Sequence, residues 1–204
     1  IKQSALRIQV SPEKLVSRNV THYVTEVEME AKRHFLVKLL NLNPEAKTVV
    51  FVRTKVRAER VVKHLAKNKI EALVIHGDME QAAREKSLEL FRELQHGILV
   101  ATDVSARGID ISGINLVVNY DLPDDPENYV HRVGRTGRGF AKGEAVSLYA
   151  PEEKAKLQQI EELLQTKIAE LKLGEESVKE IAENEIENMS IEDMLAAEEA
   201  RFLR

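Results

Sequence analysis

The 204-residue chain contains no cysteine and no tryptophan, and aromatic residues make up only 4% of it. Without cysteine it can form neither a disulfide nor a thiolate metal site, which fits a reducing cytosol and sets the expectation of a cytoplasmic location. No apolar run approaches the roughly 20 residues that a membrane-spanning helix needs, and no signal peptide is expected. A membrane partner is therefore not expected. His22, His34, His64 and His96 lie too far apart in sequence to suggest a metal site, and His76, which follows a strand, reads as structural. The phosphate-binding pattern G-x-x-x-x-G-K-[ST] is absent. The first residue is Ile1, so the chain is expected to be a piece of a longer protein.

What is present is a folded-protein composition, 43% apolar and 31% charged, at a length that argues for one domain and an appendage. The net charge of −4 conceals an uneven distribution. Residues 1–174 hold 27 Lys and Arg against 24 Asp and Glu, whereas residues 175–204 hold 3 against 10. The body is thus mildly basic and the tail acidic. A surplus that small is compatible with a polyanionic partner but does not identify one.

Short runs rich in β-branched residues, TVVFV (48–52), ALVI (72–75), GILVA (97–101), LVVN (116–119) and EAVSLY (144–149), read as strands buried on both faces. Helical patterns at 55–68, 81–94 and 126–136 alternate with them and predict an α/β fold, a three-layer parallel sheet with helices on both faces. Asp125 can cap the helix that Pro126 opens, with Glu127 complementing its dipole. Upstream, 21–27 reads as a strand, 30–41 as an amphipathic helix and 1–20 as a linker. Downstream, 152–169 reads as a helix that Gly174 follows as a stop. The domain is expected over 21–173, followed by an acidic helical extension over 174–204. In that tail Ser190 and Asp193 form a candidate capping box. Ile186, Met189, Ile191, Met194, Leu195, Phe202 and Leu203 suffice for a stripe that docks on a protein partner or makes a dimer. An extra helix without a partner fits equally well.

The segment YVHRVGRTGRG (129–139) sets Arg132, Arg135 and Arg138 at every third position among glycines, with no acidic residue to neutralise them. Guanidinium forks suit phosphate oxygens, glycines let an anion approach the backbone, and ligands of open α/β sheets sit beyond the strand ends. The competing reading is a solvated helix face. ILVATD (98–103) imitates an apolar strand ending in a magnesium-binding Asp, yet without a phosphate loop Asp103 is not expected to hold metal. Arginines for a phosphate without a loop for the nucleotide suggest half of a site, an arginine finger offered to nucleotide held elsewhere.

HRVGRTGR (131–138) resembles the sixth motif of the DEAD-box RNA helicases, and ATDVSARGID (101–110) resembles the fifth. VVFVRTK (49–55) is similar to the fourth, and HGDMEQAAREKSLELF (76–91) to the motif beside it, with Gln81 and Arg84. The likeness covers residues 20–150 and implies the second RecA-like domain of that family, without the first domain and its phosphate loop. It implies that Arg135 and Arg138 reach the γ-phosphate of ATP, bound with Mg2+ mainly on the N-terminal RecA-like domain. His131 would couple that site to the interface, and Asp110 would meet the ribose, with Gly108 allowing close approach. Arg132 is expected to pair with an acidic group of its own domain. RNA is implied on another edge, with Thr102, Arg84 and the backbone at Gly77 on phosphates and Thr54 nearby. So few aromatics leave little for base stacking, so contacts to the RNA backbone with little sequence preference are expected.

The expected function is the C-terminal half of an ATP-dependent RNA helicase, inactive by itself. The alternative is a freestanding RNA-binding module without catalysis. A DNA translocase of the same fold fits less well, since such relatives usually carry Gln where this motif has His131. After HRVGRTGR many family members have Ala-Gly, whereas this chain reads GFAKG (139–143), which leaves the shape of that loop around Phe140 open.

Overall fold

The computed structural model describes residues 19–106, 111–137 and 142–171. Gly108, Asp110, Arg138, Phe140, most of the expected linker and the acidic tail from residue 172 onward lie outside the described residues. Among the described residues seven strands alternate with six helices: β1 (Val20–Glu26), α1 (Lys32–Leu42), β2 (Lys47–Val52), α2 (Lys55–Lys67), β3 (Leu73–Ile75), α3 (Gln81–Glu93), β4 (Gly97–Thr102), α4 (Asp103–Ala106), β5 (Leu116–Asn119), α5 (Pro126–Val133), β6 (Gly143–Tyr149), α6 (Lys154–Leu164) and β7 (Ala169–Glu170). Every strand pair is parallel, in the order β3-β4-β2-β5-β6-β1-β7.

The unbroken apolar runs explain the centre of this sheet. All six residues of β2 and all four of β5 are buried, as strands covered on both faces must be. The order of the strands reverses after β3. With right-handed crossovers, α1 and α2 then cover one face and α3, α5 and α6 the other. Accordingly, α1 packs on α2 and α5 packs on α6. The three-layer α/β architecture expected from the alternation is the one observed.

Two element boundaries differ from expectation. The helix expected over 126–136 stops at Val133, where Gly134 caps it; Asp125 caps its start, its side chain accepting from the Glu127 amide at 3.0 Å. The helix expected over 152–169 is shorter still. A 3-10 turn (Pro151–Glu153) precedes α6, which ends where Gln165 takes a left-handed conformation, φ 53°. Glu161 then accepts from the Ile168 amide at 3.0 Å and turns the chain back, so that Ala169 and Glu170 pair with Tyr23 and Val24 of β1. Helical spacing of apolar residues persists through this turn in the sequence, which is why the pattern alone overran it.

Because all strands run the same way, their carboxyl ends share one edge of the sheet. That edge carries Arg53 and Thr54 after β2, His76 and Gly77 after β3, Asp103 after β4, Asp121 after β5 and the segment before α6. Residues far apart in sequence are gathered there.

Candidate functional site

At this edge the arginine segment resolves into different roles. Arg132 is 2% exposed. Its Nε and Nη2 donate to the two oxygens of Asp103 at 2.6 and 2.8 Å, and its Nη1 donates to Asn119 Oδ1 at 3.2 Å and to the Asp121 carbonyl at 2.7 Å. The guanidinium also lies over the Phe51 ring, 5.2 Å from its centroid. A bidentate pair with this many partners is a fixed strut between α5 and the ends of β2, β4 and β5. The expected pairing of Arg132 within its own domain is observed. Asp103 is thereby committed to Arg132, so its carboxylate does not fit the role of a magnesium ligand. Among the described residues no group of three or more acidic or histidine side chains is arranged to hold a metal ion.

Asn128 and His131 follow on one side of α5, three residues apart, and Arg135 stands just past the Gly134 cap, its amide donating to the Arg132 carbonyl at 3.1 Å. They line a small cleft with Phe51, Asp103 and Arg132 at its base. His131 is exposed and Arg135 half-buried. The cleft therefore presents an imidazole and a guanidinium above an ion pair that is already neutralised, a setting suited to an anion arriving from outside.

The glycines of 129–139 were expected to make room for that anion, and at one of them, Gly137, the structure assigns a different cause, which Gly143 after the segment shares. Gly137 has φ +63°, and a side chain there would overlap Val20 Cγ2. At Gly143 an added Cβ would collide with Thr136 Oγ1, whose hydroxyl donates to the Ile114 carbonyl at 2.6 Å. Their small size serves the packing of the chain on β1 and on Thr136.

A second constellation forms where β3 and β4 end. Gly77 is exposed, and a Cβ built on it meets nothing within 4 Å, so its backbone is open to a ligand. Thr102 is 8% exposed, its hydroxyl 3.0 Å from Ser105 Oγ. Arg84, half-buried on α3, donates from Nη2 to the Ser105 carbonyl at 2.9 Å; its Nε is buried without a partner among the described residues. Thr54 caps α2, its Oγ1 accepting from the Arg57 amide at 3.2 Å, and it stays exposed. The structure thus brings Gly77, Thr102 and Arg84 together through neighbouring strand ends and sets Thr54 at the start of the next helix. Beside them Lys55 pairs with Asp78, and the bond and charge of that lysine hold the Asp78 carboxyl below the usual carboxylate range. His76 Nε2 lies 3.4 Å from Glu59 Oε1, consistent with a structural histidine.

Sequence reading missed a third network on the same edge. Lys32, fully buried on α1, donates to Glu153 at 2.5 Å and to the Leu148 carbonyl at 3.2 Å. Glu153 also accepts from Arg53 Nη2 at 2.8 Å and from the Ala150 amide at 3.1 Å. Burial alone would raise the Glu153 carboxyl, but the Lys32 bond and charge, the Ala150 amide and Arg53 together hold it below its ordinary value. Asp121, also fully buried, accepts from the Arg53 amide at 2.9 Å and pairs with Arg57. The one available signal was a lysine on the apolar side of a helical pattern, which does not name its partner.

The family model "Helicase conserved C-terminal domain" matches residues 31–139. The chain is 39% identical over 179 residues to the DEAD-box ATP-dependent RNA helicase CshA of Bacillus subtilis, a match covering 84% of this chain and 36% of that protein. It thus spans about a third of the length of such curated relatives. Among solved structures it is similar to a DEAD box protein from the hyperthermophile Methanococcus jannaschii, with TM-score 0.71 and 41% identity, covering 76% of this chain and 42% of that one. It is also similar to S. cerevisiae Dbp5 bound to RNA and ADP BeF3, with TM-score 0.76 and 28% identity, covering 86% and 48%.

Proposed function

This chain belongs to the DEAD-box RNA helicases, whose C-terminal RecA-like domain it carries, and from that premise we propose that it works as half of an ATPase whose other half is an N-terminal RecA-like domain. ATP, with Mg2+ held mainly by that other domain, is bound between the two. Arg135 and Arg138 act on the γ-phosphate, His131 couples the site to the interface, and Gly108 and Asp110 take the nucleoside side. When bound, ATP supplies the transferable phosphoryl group whose hydrolysis the closed cleft promotes. RNA lies along Gly77, Thr102, Arg84 and Thr54 through its backbone, so that closing the two domains strains a short duplex into separating. The protein acts in the cytoplasm, and the acidic tail over 174–204 serves as a docking element for a protein partner or a second copy.

One observation supports the division of labour most directly. Arg132 is locked onto Asp103, while His131 and Arg135 line the mouth of the same cleft in a chain without a phosphate loop. A guanidinium so placed beside an imidazole, with no loop to hold a nucleotide, fits a group that acts in trans. Such fingers contribute roughly 10³ to 10⁵ in rate.

The test is RNA-stimulated ATP hydrolysis by the full-length protein. Arg138→Ala and Arg135→Ala are each expected to lower kcat at least about a hundredfold, and this domain alone should hydrolyse no ATP. Near wild-type turnover in both variants would refute the finger assignment. A freestanding RNA-binding module would instead bind RNA tightly as the isolated domain, with steep salt dependence.

A further inference from the structure

Ser105 on α4 bonds to the ends of both β3 and β4 and to Arg84. It is 1% exposed. Its Oγ lies 3.0 Å from the Ile75 carbonyl, 2.8 Å from the Thr102 carbonyl, 3.2 Å from the Thr102 amide and 3.0 Å from Thr102 Oγ1. A hydroxyl has one proton and two lone pairs. Carbonyls only accept and the amide only donates, so the serine proton is shared by the two carbonyls while the lone pairs take the Thr102 N–H and O–H. Every bonding position of the side chain is then used. The main-chain carbonyl of the same residue seats Arg84.

This geometry bears on three of the groups on the RNA edge, Gly77, Thr102 and Arg84. Ile75 is the last residue of β3 and stands two residues before Gly77; its register partner Ala101 immediately precedes Thr102. The backbone ladder ends here, so beyond this point the Ser105 hydroxyl is what fastens one strand end to the other. Loss of that tie would let the Gly77 amide move relative to Thr102 and Arg84, whereas the α5 cleft, anchored through Arg132, would stay in place.

We infer that Ser105 is a positioning residue for RNA-backbone binding, setting the spacing of Gly77, Thr102 and Arg84; this rests on the RNA reading given above. Its ligand class is the sugar-phosphate backbone, met through the three groups it holds.

The experiment compares Ser105→Ala with Arg84→Ala in the full-length helicase, using a single-stranded RNA oligonucleotide. Binding is measured across a salt series and ATPase rates across RNA and ATP concentrations. Ser105→Ala is expected to raise the RNA Kd and the RNA half-saturation about five- to tenfold, the scale of one to two net hydrogen bonds. Its kcat at saturating RNA, ATP KM and salt slope should not move, because it removes no charge. Arg84→Ala removes a cation, so it should weaken binding and flatten the slope of log affinity against log salt by about 0.7. Unchanged RNA affinity in Ser105→Ala beside weakened binding in Arg84→Ala would overturn this inference alone. No effect of Arg84→Ala would overturn the RNA reading and the inference with it. A fall in kcat, or a shift in ATP KM, would make Ser105 a general structural residue and also refute it. If Ser105→Ala does not fold, Ser105→Cys, of similar shape and weaker hydrogen bonding, should give a smaller rise confined to the RNA terms, and no rise would refute the inference.

Discussion

Replacing Arg132 with Ala separates scaffold from catalysis. The side chain donates four hydrogen bonds, two to Asp103 and one each to Asn119 and the Asp121 carbonyl. Asn119 is fully buried, and an acceptor left unpaired at such a site costs about 1–3 kcal/mol. The Asp103 side chain is 28% exposed, so water recovers part of its solvation and its share is discounted. The guanidinium's packing on Phe51 is also lost. The total comes to about 3–5 kcal/mol, the range for breaking one side of a buried ion pair. For a domain of this size that is a fall in Tm of about 10 °C. Urea unfolding followed by circular dichroism should show the midpoint shifted with an unchanged slope. Arg135→Ala, at a half-buried position, should cost less than about 1 kcal/mol in the same assay. The double cycle of Asp103→Ala with Arg132→Ala should give a coupling of about 1 kcal/mol or more. If Arg132→Ala were as stable as the wild type to within about 1 kcal/mol, the strut would not exist as described.

Gly137→Ala must place a Cβ at positive φ and against Val20 at once, so a loss of about 2–4 kcal/mol is expected in thermal unfolding; a loss under about 1 kcal/mol would show that β1 yields there. Glu153→Gln leaves Lys32 a buried cation without its carboxylate and should cost about 3–5 kcal/mol. The pH dependence follows from the same group. With the folded-state value of Glu153 depressed, its stabilisation is complete above the ordinary carboxylate value of 4.5 and is lost as pH falls below it toward the folded-state value. The wild type should therefore lose stability over that acid range more steeply than Glu153→Gln, and equal slopes in acid unfolding would refute the assignment.

Much of the architecture was legible in order along the chain. Residues 48–52 and 116–119 are apolar without interruption because strands covered on both faces have no side to give to water, and their position in the sheet follows from that. The start of α5 was legible because its cap, its proline and its acid lie within three residues. The end of α6 was not, because a left-handed glutamine, Gln165, and the Glu161 carboxylate turn the chain there, without the glycine or proline that marks a helix stop in a sequence.

At the candidate site, residue identity specified the chemistry but not its distribution. Arg132 and Arg135 stand in one motif with the same guanidinium, and their spacing in the sequence does not distinguish them. What separates them is Asp103, 29 residues earlier, which the parallel sheet delivers to the same edge as α5. Gly137 of that motif is small for the sake of Val20, and Gly143 beyond it for the sake of Thr136, contacts that no local pattern encodes. Ser105 is an ordinary small residue until β3 and β4 are laid side by side, and Lys32 meets Glu153 across 121 residues of chain. Local composition and periodicity determined which segments are strands and helices and which side chains carry charge, because those depend on neighbours in sequence. The partner of each charge was decided only by the closure of the sheet, because burial removes water and leaves each polar group to the side chains the fold has brought within reach.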